Sequence, residues 1–264
     1  MDLLLEAIHR RYDHDFRGYA RASLRRRLWH RAALERLDTL SGLQERILHD
    51  PPCLERLLRD LSINVTEMFR DPGFHEALRA RVFPALRTHP FLRVWVAGCS
   101  TGEEVVSLAI GLAEAGLLER TRIYATDMDA DVLDRAREGA FPLERLRAYT
   151  QNYQQAGGRE VFSSYYTVDG ERAVFDRGLL ANVVFAQHNL ATDGSFNEFH
   201  LVVCRNVMIY FGRALQDHVL RLFVESLVRF GVLGLGHKET LGGTLVQDRF
   251  EVLDAAEKLY RLRP

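Results

Sequence analysis

The chain has 264 residues, 35 basic and 36 acidic side chains, and a formal net charge of −1. Hydrophobic residues at 47% and charged residues at 27% suit one or two globular domains of roughly 150 residues each, and exclude disorder, a collagen-like repeat and a coiled coil. The near-zero charge gives no global attraction to nucleic acid or membrane, and three cysteines (Cys53, Cys99 and Cys204) without CxxC spacing exclude a disulfide framework and a zinc ribbon.

The opening residues MDLLLEAIHRRYDHD lack the apolar core of a signal peptide. No stretch approaches the 18 or so apolar residues of a membrane span, so the expectation is a cytoplasmic protein. Residues 1 to about 88 read as helices, with Asp50-Pro51-Pro52 turning the chain into a new one. Between Tyr19 and Leu34, Leu24, Leu28 and Ala32 form an apolar ridge. Arg26, Arg27, His30 and Arg31 are expected largely on the opposite face. From Arg10 to Arg36, nine arginines stand against Asp13, Asp15 and Glu35, a local charge of +6. This is either a solvated face or a docking surface for an acidic partner.

From Phe91 the pattern changes to alternating strands and helices. Strands are expected at Leu92–Ala97, Arg122–Thr126, Val183–Ala186, His200–Cys204 and Gly231–Leu235, and helices at Glu103–Ala115, Ala130–Glu138 and Gln216–Arg229. Such alternation implies a parallel, doubly wound sheet with helices on both faces. Ser163–Asp176, centred on Asp169-Gly170, reads as an antiparallel hairpin. The fold class is therefore α/β: a Rossmann-like doubly wound sheet, an N-terminal all-α helical domain with linker over 1–75, a sheet domain over 76–264, and a small antiparallel β insert at about 160–180.

Two motifs mislead. Gly98-Cys99-Ser100-Thr101-Gly102 fits the G-x-S-x-G nucleophile elbow, but it follows the first strand, whereas that fold needs several strands before it. Asp127, Asp129, Asp131 and Glu138 match positions of a calcium loop, but Val132 occupies the position that needs glycine. The histidines have no metal-ligand spacing.

A glycine-bearing turn after the first strand, with an acidic residue ending the second, is the arrangement for a nucleoside cofactor. Gly98 and Gly102 allow close backbone approach, and Asp127 could accept from both ribose hydroxyls. The turn lacks G-x-G-x-x-G. Instead Glu103 and Glu104 open the next helix, where carboxylates would repel a phosphate but suit the ammonium or sulfonium of S-adenosylmethionine, or simply complement the helix N-terminus. The residues alone leave open a methyltransferase, a dinucleotide enzyme and a non-catalytic fold.

The segments Asn64-Val65-Thr66-Glu67-Met68-Phe69-Arg70-Asp71, Gly98 to Glu104, Ala125-Thr126-Asp127-Met128-Asp129, His188-Asn189-Leu190 and Cys204-Arg205-Asn206-Val207-Met208-Ile209-Tyr210-Phe211 occur in this order. Together they resemble the CheR family, chemotaxis methyltransferases that methylate receptor glutamates, over nearly the whole chain. The resemblance implies that Asn64, Thr66 and Arg70 reach from the linker into the cofactor region. It implies that Glu104 binds the methionyl amino group and Asp127 the ribose, with Gly98 beside them. Asn189 and Leu190 would flank the adenine, Arg205 and Asn206 would sit at the end of the fourth strand, and Arg70 and Tyr210 would be the catalytic pair beside the transferred methyl. It further implies S-adenosylmethionine as cofactor, S-adenosylhomocysteine as product, and the cytoplasmic helical domain of a chemoreceptor as partner, with neither nucleic acid nor direct membrane insertion. Met68 replaces the first phenylalanine of the family's double-Phe element, Lys238 stands where serine is usual in Gly236-His237-Lys238-Glu239, and Gly194–Phe199 departs from the best-known members.

Overall fold

The computed structural model describes residues 1–12, 14–61 and 66–264. Four helices come first: α1 (Asp2–Tyr12), α2 (Arg21–Leu34), α3 (Leu40–His49) and α4 (Pro51–Leu61). Their apolar faces form one cluster around Leu5, Ile8, Leu28, Ile47 and Leu57, all essentially buried. Thr39 caps α3, its side chain accepting from the Gly42 N–H.

The ridge Leu24, Leu28 and Ala32 faces this core as expected, but the arginines divide. Arg26 and His30 are exposed, whereas Arg27 and Arg31 are buried. Arg31 is drawn inward by carboxylates: its guanidinium donates to Asp60 at 2.6 and 2.8 Å and to Glu35 at 3.4 Å. Acids outside the stretch offset about half of the +6, Glu6 pairing with Arg10 and Arg17, Asp2 with Arg21 and Asp60 with Arg31.

The chain continues through α5 (Pro72–Ala77), a π-helical turn at Leu78–Val82 and α6 (Phe83–Leu86) into β1 (Leu92–Ala97). There follow α7 (Glu103–Glu114), β2 (Thr121–Asp127), α8 (Ala130–Glu138), β3 (Ala140–Pro142), α9 (Leu146–Gln155), β4 (Tyr166–Asp169), β5 (Arg172–Phe175), α10 (Arg177–Leu180), β6 (Val183–Gln187), β7 (Phe199–Cys204), α11 (Arg213–Ser226), β8 (Leu227–Leu235), β9 (Phe250–Asp254) and β10 (Leu259–Leu262).

The main sheet has seven strands in the order β6-β2-β1-β7-β8-β10-β9. β6 through β8 are parallel, and β10 and β9 add an antiparallel edge. The sheet is therefore mixed rather than wholly parallel. Strand alternation divides β1 between two cores: Val94 and Val96 face the helix α7 side, and Trp95 and Ala97 the α11 side. The helix expected at Gln216–Arg229 runs instead from Arg213 to Ser226, and Leu227–Phe230 already belongs to β8. A short apolar run fits either period, and pairing of Leu227 with Phe199 decides for strand.

The expected hairpin is β4–β5, but its sheet has a third strand, β3, which pairs with β5 from outside the 160–180 range. Among the described residues no helix is long and apolar enough to cross a membrane.

Replacing Arg31 by alanine should lower the unfolding free energy by roughly 3 kcal/mol, because Asp60 would be left without its cation while Glu35 keeps Arg56. Arg26→Ala should change it by less than about 0.5 kcal/mol. Urea unfolding of both variants checks this, and equal losses would contradict the division of the two faces.

Candidate active site

In a sheet of this order the chain leaves β1 toward β2 and β6, then crosses back to β7, so a crevice opens above the carboxyl ends of β1 and β7. The structure has a cleft there containing about 960 Å³ of space between protein atoms, open solvent included. Thr66, Arg70, Gly98, Glu104, Asp127, Asn189, Leu190, Arg205, Asn206 and Tyr210 all line it. Asn64 lies outside the described residues.

The turn after β1 is shaped by backbone geometry. Gly98 has φ +76°, and a Cβ there would stand 2.4 Å from Val207 Cγ2, so glycine lets the loops after β1 and β7 touch. The Gly98 and Cys99 N–H groups both donate to the Thr126 carbonyl. Ser100, at φ +49°, donates its N–H to Asp127 Oδ2 at 2.9 Å. This serine orients the acid that ends β2 through its backbone. Asp127 Oδ1 accepts from the Asp129 N–H at 3.1 Å. Burial raises the Asp127 carboxyl above the ordinary aspartate value, and those N–H groups oppose the shift. Asp129 caps α8 by accepting from the Asp131 N–H, which gives the acidic spacing here a local structural use.

Glu104 opens α7 and meets Arg205, which follows β7, at 2.6 Å. The same guanidinium donates to Asp71 Oδ2 at 2.7 Å and to the Arg70 carbonyl at 2.9 Å, and lies 4.2 Å from the centroid of Phe74. The Arg205 side chain, at 2% exposure, is thus a buried cation between two carboxylates. It joins α7 to the Thr66–Asp71 segment. That segment is held further by the Phe69 N–H on Ser107 Oγ (2.8 Å) and Asn152 on the Met68 carbonyl (3.0 Å). Met68 is wholly buried in the core beneath the sheet and does not line the cleft, so its substitution for phenylalanine is a change of core packing.

Glu239 organises the loop after β7. Its two oxygens accept from four backbone N–H groups: Gly236 (2.7 Å), Asn206 (3.0 Å), Val207 (3.0 Å) and Met208 (2.8 Å). This buried carboxylate fixes a loop whose Asn206 is left-handed, at φ +60°. Lys238 beside it is exposed, so the departure from serine falls on the surface. After β6, Asn189 Oδ1 accepts from the Ala191 N–H and its own N–H donates to Asp193, a tight turn that presents Leu190. Phe196 covers the adjoining Trp95, ring centroids 5.1 Å apart.

Tyr19, from the segment before α2, and Met128, after β2, also line the cleft and contact each other, the Tyr19 hydroxyl lying 3.6 Å from the Met128 sulfur. Sequence reasoning missed both. Tyr19 belongs to no motif and reaches the site only because its segment docks against Phe211. Burial pushes the thiols of Cys99 and Cys204 well up.

The donor set suits S-adenosylmethionine. A carboxylate, not a glycine-rich phosphate cradle, stands at the α7 N-terminus (Glu104) and another at the end of β2 (Asp127), and the bare Gly98 backbone lines the same cleft. Fold and site together define a Rossmann-like, S-adenosylmethionine-dependent methyltransferase.

Comparison with known proteins agrees. Residues 1–62 match the all-alpha domain of CheR methyltransferase and residues 64–259 its SAM binding domain. The chain is 52% identical over 261 residues to the Pseudomonas putida protein Cher3, covering 98% of this chain and 95% of that protein. It is 36% identical over 195 residues to the chemotaxis protein methyltransferase of Salmonella typhimurium (70% of this chain, 63% of that one). To that of Listeria monocytogenes it is 29% identical over 229 residues (86% and 84%). The chain belongs to the CheR methyltransferase family.

Glu239→Ala should leave four backbone donors without an acceptor, lower the unfolding free energy by roughly 3 kcal/mol, and weaken S-adenosylhomocysteine binding about tenfold. Calorimetry on the folded variant measures the second effect, and unchanged affinity would show that the loop holds its shape without the carboxylate.

Proposed function

We propose that this protein methylates glutamate side chains in the helical cytoplasmic domain of a chemoreceptor, forming glutamate methyl esters. The observation that carries the reading is the meeting of Arg70 and Tyr210 with Glu104 and Asp127 in one cleft: an arginine and a tyrosine suited to orienting an acceptor carboxylate share it with acids suited to the cofactor's cationic and ribose groups. The names of the Salmonella and Listeria relatives supply the chemotaxis context.

In this reading Glu104 holds the methionyl ammonium, Asp127 the ribose hydroxyls, and Asn189 and Leu190 flank the adenine. Asn64, Thr66 and Asn206 complete the enclosure. Arg205 serves the cofactor end through Glu104. When bound, S-adenosylmethionine supplies a sulfonium-activated methyl group, whose bond to sulfur breaks as its bond to a carboxylate oxygen forms. A glutamate carboxylate, with a reference pKa of about 4.3, is ionised at neutral pH, so the protein needs no general base. Its task is alignment and the exclusion of water. Arg70 orients the incoming carboxylate by a charge-assisted hydrogen bond, and the Tyr210 hydroxyl fixes its second oxygen.

Of the cations on α2, Arg25 and Arg26 are exposed and have no ion pair among the described residues, and Trp29 is exposed beside them. They suit an acidic helix, whereas Arg27 and Arg31 face inward.

The test is transfer of radiolabelled methyl to receptor cytoplasmic fragments, with base-labile release as methanol. Arg70→Ala should lower turnover at least a hundredfold and change S-adenosylhomocysteine affinity by less than threefold. Asp127→Ala should weaken that affinity at least tenfold. Label that stays bound in base would overturn the ester assignment, and intact turnover by Arg70→Ala would overturn the role given to Arg70.

A further inference from the structure

Helix α2 carries exposed Arg25 and Arg26 on one face and buried Arg27 on the other. The Arg27 guanidinium lies over the Tyr210 ring, 4.7 Å from its centroid, and donates through Nη1 to the Leu61 carbonyl at the end of α4. Arg27 does not line the cleft; it stands behind the ring that does.

The chain entering α2 holds the same tyrosine by its backbone. The Ala20 N–H donates to the Tyr210 carbonyl and the Gly212 N–H to the Gly18 carbonyl, both at 2.8 Å. Tyr19 and Phe211 form an antiparallel bridge, their rings edge-to-face at 4.9 Å. The approach is close enough that a Cβ on Gly212 would lie 2.9 Å from the Gly18 oxygen. Tyr210 therefore sits on a short helical turn, Met208–Tyr210, with its backbone tied to the N-terminal helical region and one ring face covered by a cation from it.

We propose that Arg27 is a positioning residue for Tyr210, so that the helix facing the acceptor on its outer side also sets the tyrosine hydroxyl on its inner side. A planar guanidinium on an aromatic face restrains ring tilt and rotation in a way that an apolar side chain does not. The Leu61 carbonyl keeps the guanidinium from swinging away. Arg27 thus acts on turnover through Tyr210, not through cofactor binding. This rests on the reading that Tyr210 fixes the acceptor carboxylate.

The experiment uses the full chain labelled with 3-fluorotyrosine, the Tyr210 resonance being assigned by its loss in Tyr210→Phe. In Arg27→Met that resonance should move while most of the other tyrosine resonances stay in place, and Arg27→Lys should fall between. This part needs no acceptor, and if Arg27→Met fails to fold, Arg27→Lys carries it. In methyl transfer, Arg27→Met should lose at least tenfold in kcat. Its affinity for S-adenosylhomocysteine and its acceptor KM should stay within twofold. Adding Arg27→Met to Tyr210→Phe should cause no further loss of kcat. An unmoved resonance, retained kcat in folded Arg27→Met, or additive losses in the double variant would overturn the proposal. So would a loss confined to acceptor KM that changes with salt, which would make Arg27 a docking residue. Full activity of Tyr210→Phe would instead remove the reading of the site beneath it, and the proposal with it.

Discussion

The cleft depends on one buried cation. Arg205 has its guanidinium between Glu104 and Asp71 and on the Arg70 carbonyl, with Phe74 under its face. An arginine taken out of water is costly unless its charge and donors are met, and here two carboxylates and a carbonyl meet them. The partners come from two stretches of chain: Glu104 from α7, and Asp71 and the Arg70 carbonyl from the segment that leads out of the helical N-terminal part. The planar fork can reach them together, which a point-like ammonium cannot. The contact that neutralises the arginine thus also brings the glutamate at the α7 N-terminus beside the Thr66–Arg70 segment.

The loop carrying Arg205, Asn206 and Tyr210 is held from three directions. Glu239 gathers its backbone donors from the β8 side, Arg205 anchors its start to α7, and the Gly18–Ala20 segment with Arg27 fixes its end. The site is therefore not a property of the sheet alone. The N-terminal helical region contributes Tyr19 to the cleft wall and support to Tyr210, so the part of the chain that exposes Arg25 and Arg26 is continuous with the part that shapes the cleft.

Most of the sheet was legible because parallel strands bury both faces and read as apolar runs, and because strand ends place Gly98 and Asp127 at set positions above the sheet. The features that escaped depend on distant partners. β3 pairs with β5 across about thirty residues, and β9 and β10 extend the sheet from beyond the last β/α unit. Arg27 and Arg31 count as polar in any periodicity, yet Tyr210 and Leu61 in one case and Asp60 and Glu35 in the other bring them inward. The candidate residues were legible largely through family resemblance; their mutual arrangement was not, since Glu239 reads as one more acid until its four backbone donors are seen.

The most direct measurement of this account is the affinity of the Arg205→Lys variant for S-adenosylhomocysteine, by calorimetry at neutral pH on protein shown to be folded. The substitution keeps the charge but cannot span Glu104, Asp71 and the Arg70 carbonyl at once. Affinity should be at least tenfold weaker than that of the unaltered protein; affinity within twofold would mean that this arginine does not organise the cofactor end of the cleft.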